Sequence, residues 1–78
     1  MATNYMIFCK SESEKFWHPI NTVHDQRVSK YSNANTFELL DIAMKEMERL
    51  RLLKPGFAYQ IRKSKGKDKE LRYVRFKY

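Results

Sequence analysis

Eight cations crowd residues 62–77: Arg62, Lys63, Lys65, Lys67, Lys69, Arg72, Arg75 and Lys77. Tyr59, Tyr73, Phe76 and Tyr78 are set among them. Ammonium and guanidinium groups neutralise phosphates or carboxylates, and aromatic faces stack on unpaired bases. Residues 1–53 hold seven Lys/Arg against seven Asp/Glu, so the formal charge of +7 lies wholly in residues 54–78. A field this one-sided steers a protein toward an acidic partner, either nucleic acid or an acidic protein face. Lysines on an exposed hairpin also discourage strand-to-strand association, but edge protection rarely needs so many.

Catalytic chemistry has less to work with. The histidines are His18 and His24, and their spacing suits neither one helix face nor a zinc pair with Cys9. His24 and Asp25 are chain neighbours, which is not how a triad is recognised. Two glycines leave no phosphate-cradling loop. The single cysteine, Cys9, has no intramolecular disulfide partner and reads as a small hydrophobe on a strand. The expectation is a protein with no catalytic residues, no metal and no cofactor.

Residues 35–53 (NTFELLDIAMKEMERLRLL) must organise whatever positions these groups. At 3.6 residues per turn, Phe37, Leu39, Leu40, Ala43, Met44, Met47 and Leu50 fall in one arc, with Glu38, Asp41, Lys45, Glu46 and Arg49 opposite. Asn35 is suited to the N-cap with Glu38 at the third helical position, and Pro55-Gly56 ends the run. The predicted helix therefore spans 35–53, with Phe37, Leu40, Met44 and Met47 against a sheet. Ile42 falls on its polar side.

Strands are predicted on either side of the helix. Residues 4–10 alternate Tyr5, Ile7 and Cys9 with Met6 and Phe8, and apolar side chains on both faces imply an inner strand. Residues 15–24 resume apolar character around Pro19, and residues 27–31 form a short polar strand. Phe57, Tyr59 and Ile61 should face the core, with Ala58, Gln60 and Arg62 outward. The last strand, 71–78, breaks phase between Tyr73 and Val74, which a bulge or two covered faces would reconcile. The sum is one α+β domain over 1–78: an amphipathic helix on an antiparallel sheet of four or five strands, with a basic hairpin at about 57–78. No apolar run reaches the roughly 18 residues of a membrane span, and the N-terminus lacks a signal-peptide pattern, so the cytoplasm is the expected compartment.

From Lys15 to Lys63 the order of features resembles the small transcription inhibitor of short-tailed lytic coliphages. Lys15-Phe16-Trp17 precedes strand residues, an amphipathic helix opens with Thr36, and Pro55-Gly56-Phe57 leads into an arginine-bearing strand. The resemblance implies a small α+β protein in the host cytoplasm that binds the jaw of the largest subunit of bacterial RNA polymerase and blocks promoter opening. It also implies two binding positions on the strand after Gly-Phe, which fall here on Ile61 and Lys63. Lys63 keeps the charge and Ile61 does not; Arg62 lies between them on the opposite face. The helix is several residues longer here, and the basic last strand has no clear counterpart.

The first expectation is thus a non-enzymatic binding protein that docks on host transcription machinery through Arg62, Lys63, Lys65, Lys67, Arg72 and Arg75. The alternative is direct binding of DNA or RNA by the same hairpin, with Tyr73 and Phe76 as stacking groups.

Overall fold

A computed structural model of the chain describes residues 3–65 and 72–75. Strands β1 (Tyr5–Ser11), β2 (His18–Asn21), β3 (Gln26–Arg27), β4 (Phe57–Lys65) and β5 (Arg72–Arg75) form one sheet in the order β3-β2-β1-β4-β5. Every neighbouring pair is antiparallel. A single α-helix, α1 (Leu40–Leu53), lies across β1 and β4, giving the α+β architecture. No helix among the described residues is long and apolar enough to cross a membrane.

The middle of the sheet is β1, as its two-faced apolar run requires. Met6, Ile7, Phe8 and Cys9 are all buried. Ile7 and Cys9 join Ile20, Ala43, Met47, Leu50 and Ile61 under the helix, with Tyr5, Phe37, Leu40, Phe57 and Tyr59 packed around them. Met6 and Phe8 join Tyr73 on the other face, flanked by Trp17 and Ala34. A domain this small gains from filling both faces of its central strand, since each fully buried large apolar side chain contributes about 1.5–3 kcal/mol.

The helix starts five residues later than its periodicity predicts, at Leu40. Asn35 is otherwise engaged: its Oδ1 accepts the Thr22 N–H at 2.7 Å, and its Nδ2 donates to Thr22 Oγ1 at 2.6 Å. Phe37 exchanges two backbone hydrogen bonds with Tyr5, at 2.7 and 2.8 Å, as a bridge extending the sheet. Pairing with an existing strand outweighs starting a helix, whose nucleation is unfavourable. The N-cap is therefore Leu39, which supplies no side-chain cap. The buried face rotates accordingly. Ala43, Met47 and Leu50 are buried and Leu40 and Phe37 are partly so, whereas Met44 is 39 % exposed instead of facing the sheet.

Three further expectations change. Residues 15–17 form a bend and not a strand, leaving Phe16 exposed. The polar strand predicted at 27–31 shrinks to Gln26–Arg27, entered through Asp25 in the left-handed region (φ 53°), and is followed by a 3-10 turn, Tyr31–Asn33. Pro19 sits inside β2, where its carbonyl accepts the Val28 N–H at 2.9 Å. In an antiparallel strand a residue's N–H and C=O point the same way, so the donor Pro19 lacks would have faced beyond the short β3 and not β1. In β5 no bulge is needed. Arg62, Lys63, Ser64 and Lys65 pair one-to-one with Arg75, Val74, Tyr73 and Arg72, with Tyr73 buried and Val74 half-buried; Leu71, Phe76 and Tyr78 of the predicted strand lie outside the described residues.

Candidate functional site

The basic hairpin forms as β4 and β5, but β4 divides its cations between two faces. Alternation sends Lys63 and Lys65 to the helix side of the sheet, where both are exposed, and Arg62 to the other side. In the register Arg75 lies opposite Arg62, and Arg72 opposite Lys65, so with Lys63 the backbone brings five cationic residues of the predicted site onto two adjacent strands. Lys67, Lys69, Phe76, Lys77 and Tyr78 lie outside the described residues. Of the two positions carried over from the resemblance, Lys63 is at the surface, while Ile61 is fully buried under the helix and has no access to a partner.

Arg62 is not a simple surface charge. Its guanidinium lies over the Phe8 ring at 4.4 Å from the centroid, and its Nε donates to Gln60 Oε1 at 2.6 Å. Gln60 is itself 6 % exposed, although alternation placed it outward. A delocalised, weakly hydrated guanidinium suits such a half-buried seat over a ring. Tyr73, read as a stacking group, is 6 % exposed. Its ring meets Tyr31 edge-on at 5.2 Å and Phe8 at 6.4 Å. Burial pushes its phenol pKa up. A ring enclosed this way offers no open face to a base, so Tyr73 belongs to the core.

Around Arg62 the structure assembles groups that sequence spacing did not connect. A cleft of about 460 Å³ opens beside it, lined by Phe8, Trp17, His18, Lys30, Tyr31 and Arg62 among others. Tyr31 meets Phe8 edge-on at 5.9 Å, and the Lys10 ammonium lies 5.3 Å from the Trp17 ring centroid. The 3-10 turn delivers Tyr31 and the bend at 15–17 delivers Trp17, both elements that propensity alone read as strand. The adjacent basic-aromatic pairs Lys30-Tyr31 and Lys15-Phe16-Trp17 were the available signal.

A second cleft, of about 500 Å³, lies on the helix side, with Cys9, Asp25, Arg27, Lys54, Phe57 and Tyr59 in its walls. Its polar groups are largely committed to one another. Arg49 Nη2 bonds Asp25 Oδ1 at 2.8 Å and holds that carboxyl below its usual range. Lys54 Nζ donates to the Asp25 carbonyl at 3.0 Å, and the Tyr59 hydroxyl donates to the Lys54 carbonyl at 2.8 Å. Arg27 pairs with Glu14, which also accepts the Ser11 N–H at 2.7 Å, and these two donors hold the Glu14 carboxyl down to about 2.

The residues screened for chemistry are only partly brought together. His18 is the register partner of Cys9 and meets Glu14 at 3.3 Å; His24 is exposed in the turn before β3. Among the described residues no three His, Cys, Asp or Glu side chains come together as a metal set. Burial pushes the Cys9 thiol up to about 11, so the nucleophilic thiolate is scarce at neutral pH. Iodoacetamide at about pH 8 should therefore label Cys9 slowly in the folded protein and rapidly once guanidinium unfolds it. Fast native labelling, read by mass spectrometry, would contradict an inert core thiol. Comparison with protein-family models, with curated proteins and with solved structures finds no match to this chain.

Proposed function

We propose that this protein binds an acidic protein face and performs no catalysis, acting as a phage-type inhibitor that docks on bacterial RNA polymerase in the host cytoplasm. The observation that carries the reading is the separation of exposed charge from the Tyr73 ring in the described part of the hairpin. All the net charge lies in residues 54–78, Lys63 and Lys65 stand exposed on β4, and Tyr73 is turned into the core. Docking between charged faces needs cations at the surface and does not need exposed rings, and complementary charge gives such a complex its rate and register. The order of features shared with the coliphage inhibitor, from Lys15 through Gly56-Phe57 to Lys63, points to polymerase as the target.

The test is capture from a bacterial lysate on immobilised protein, with and without nuclease. Polymerase subunits should be retained in both cases. Retention that disappears with nuclease would replace the reading with direct nucleic-acid binding, and failure to retain polymerase in either case would remove it.

A further inference from the structure

The face of the sheet away from the helix carries a cleft that polymerase docking through Lys63 and Lys65 does not use. We propose that this cleft is a second binding site, for one unpaired nucleotide of a single-stranded nucleic acid. Tyr31 would be the stacking platform, and Lys10, Lys30 and Arg62 the cations for the flanking phosphates.

Three observations support the assignment. First, Tyr31 is held but open. Edge contacts to Phe8 at 5.9 Å and to Tyr73 at 5.2 Å fix the ring, yet 40 % of the residue remains exposed. A ring ordered beforehand loses little freedom on stacking. Second, the walls combine rings with cations, and among the described residues they include no carboxylate: Phe8, Trp17 and Tyr31 stand with Lys30 and Arg62. Lys10, over Trp17, adds a third cation at the rim. Such a set attracts an anion that carries a flat apolar body, and a nucleotide is that combination. Third, about 460 Å³ falls within the range of small-ligand clefts, enough for a base and its sugar but too small for a duplex.

An acidic peptide fits less well. Extended peptides gain affinity by adding a strand to a sheet edge, and this cleft lies over β1, β2 and β4, on the face of the sheet rather than at its margin. Most of what a peptide backbone would need to bond is already paired in the ladders.

Trp17 is the only tryptophan and lines the cleft, so its emission reports occupancy directly. The full chain should be titrated with a ten-nucleotide oligothymidylate and with oligouridylate at about 0.1 M salt, a screening length near 10 Å. Saturable quenching is expected, weakening log-linearly as salt rises. Tyr31→Ala should lower the affinity about tenfold, while Tyr31→Phe, which keeps the ring in its packing, should bind as the parent does. Circular dichroism identifies any variant that has unfolded. Lys63→Glu with Lys65→Glu should leave quenching at saturation intact, which separates this site from the docking face even if polymerase capture fails. The proposal is overturned by an absence of quenching, by equal affinity for a duplex of the same length, by equal quenching with polyglutamate, or by a folded Tyr31→Ala that binds as the parent does.

Discussion

Leu50→Ala should lower the unfolding free energy by about 2–5 kcal/mol, the range for truncating a large side chain in a closed core. Leu50 is 1 % exposed and packs within the cluster of Ile7, Cys9, Ile20, Ala43, Met47 and Ile61. Removing its branch deletes both the transfer gain and the contacts that line the resulting void. A domain of this size has only about 5–15 kcal/mol in all, so the variant should unfold at a markedly lower urea concentration with little change in slope. Met44→Ala is the matched control. It lies on the same helix and in the arc that periodicity assigns to the core, but it is exposed. Its cost should stay near the roughly 0.5 kcal/mol typical of surface changes. Equal losses at Leu50 and Met44 would mean that the helix sits on the sheet by a different face.

Reversing Lys63 and Lys65 to Glu together should weaken capture of the acidic partner by roughly a hundredfold or more, because each reversal replaces attraction with repulsion at a complementary face. Both side chains are exposed on the helix side of β4, so the melting temperature should scarcely move. Arg62 is left out on purpose. Reversing it would place a carboxylate against the face of Phe8 and beside Gln60, and a loss of binding could then reflect a damaged sheet. Lys45→Glu, an exposed change on α1, is a control for charge reversal away from the hairpin, at half the change in net charge. If Lys63 and Lys65 reversed bind as the parent does, the hairpin is not the docking surface. An equal loss at Lys45→Glu would reduce the effect to bulk charge.

The fold was largely readable because its signals were redundant. The unbroken apolar run Met6–Cys9 demanded a strand covered on both sides, and the spacing of Ala43, Met47 and Leu50 demanded one helix over it. What escaped was decided by contacts far away in the chain. Asn35 has the chemistry of a helix cap, but Thr22 claims it. Phe37 has a place in the helical arc, but Tyr5 holds it in a bridge. The site was legible in charge and less so in geometry. Strand alternation assigned Arg62 and Gln60 to solvent, since nothing local says that a 3-10 turn will lay Tyr31 over that face. Tyr31 and Trp17 reach the same cleft from separate loops, and one-dimensional spacing carries no record of such a meeting.

The central position of β1 also sets an order of events. Its partner on one side, β2, follows within a few residues, but its partner on the other, β4, begins at Phe57. Closing a loop of that length must precede the reward of pairing, which slows folding relative to helical proteins of this size. During synthesis, the flank of β1 that will receive β4 waits without its neighbour until Phe57–Lys65 has been made. Over that interval the apolar segment Met6–Cys9 is the most adhesive part of the nascent protein. The strand that ends the wait is the one bearing Arg62, Lys63 and Lys65, so the proposed binding surface comes into being in the same step that joins β4 to β1. A chain that has not finished folding therefore lacks the surface proposed here for docking.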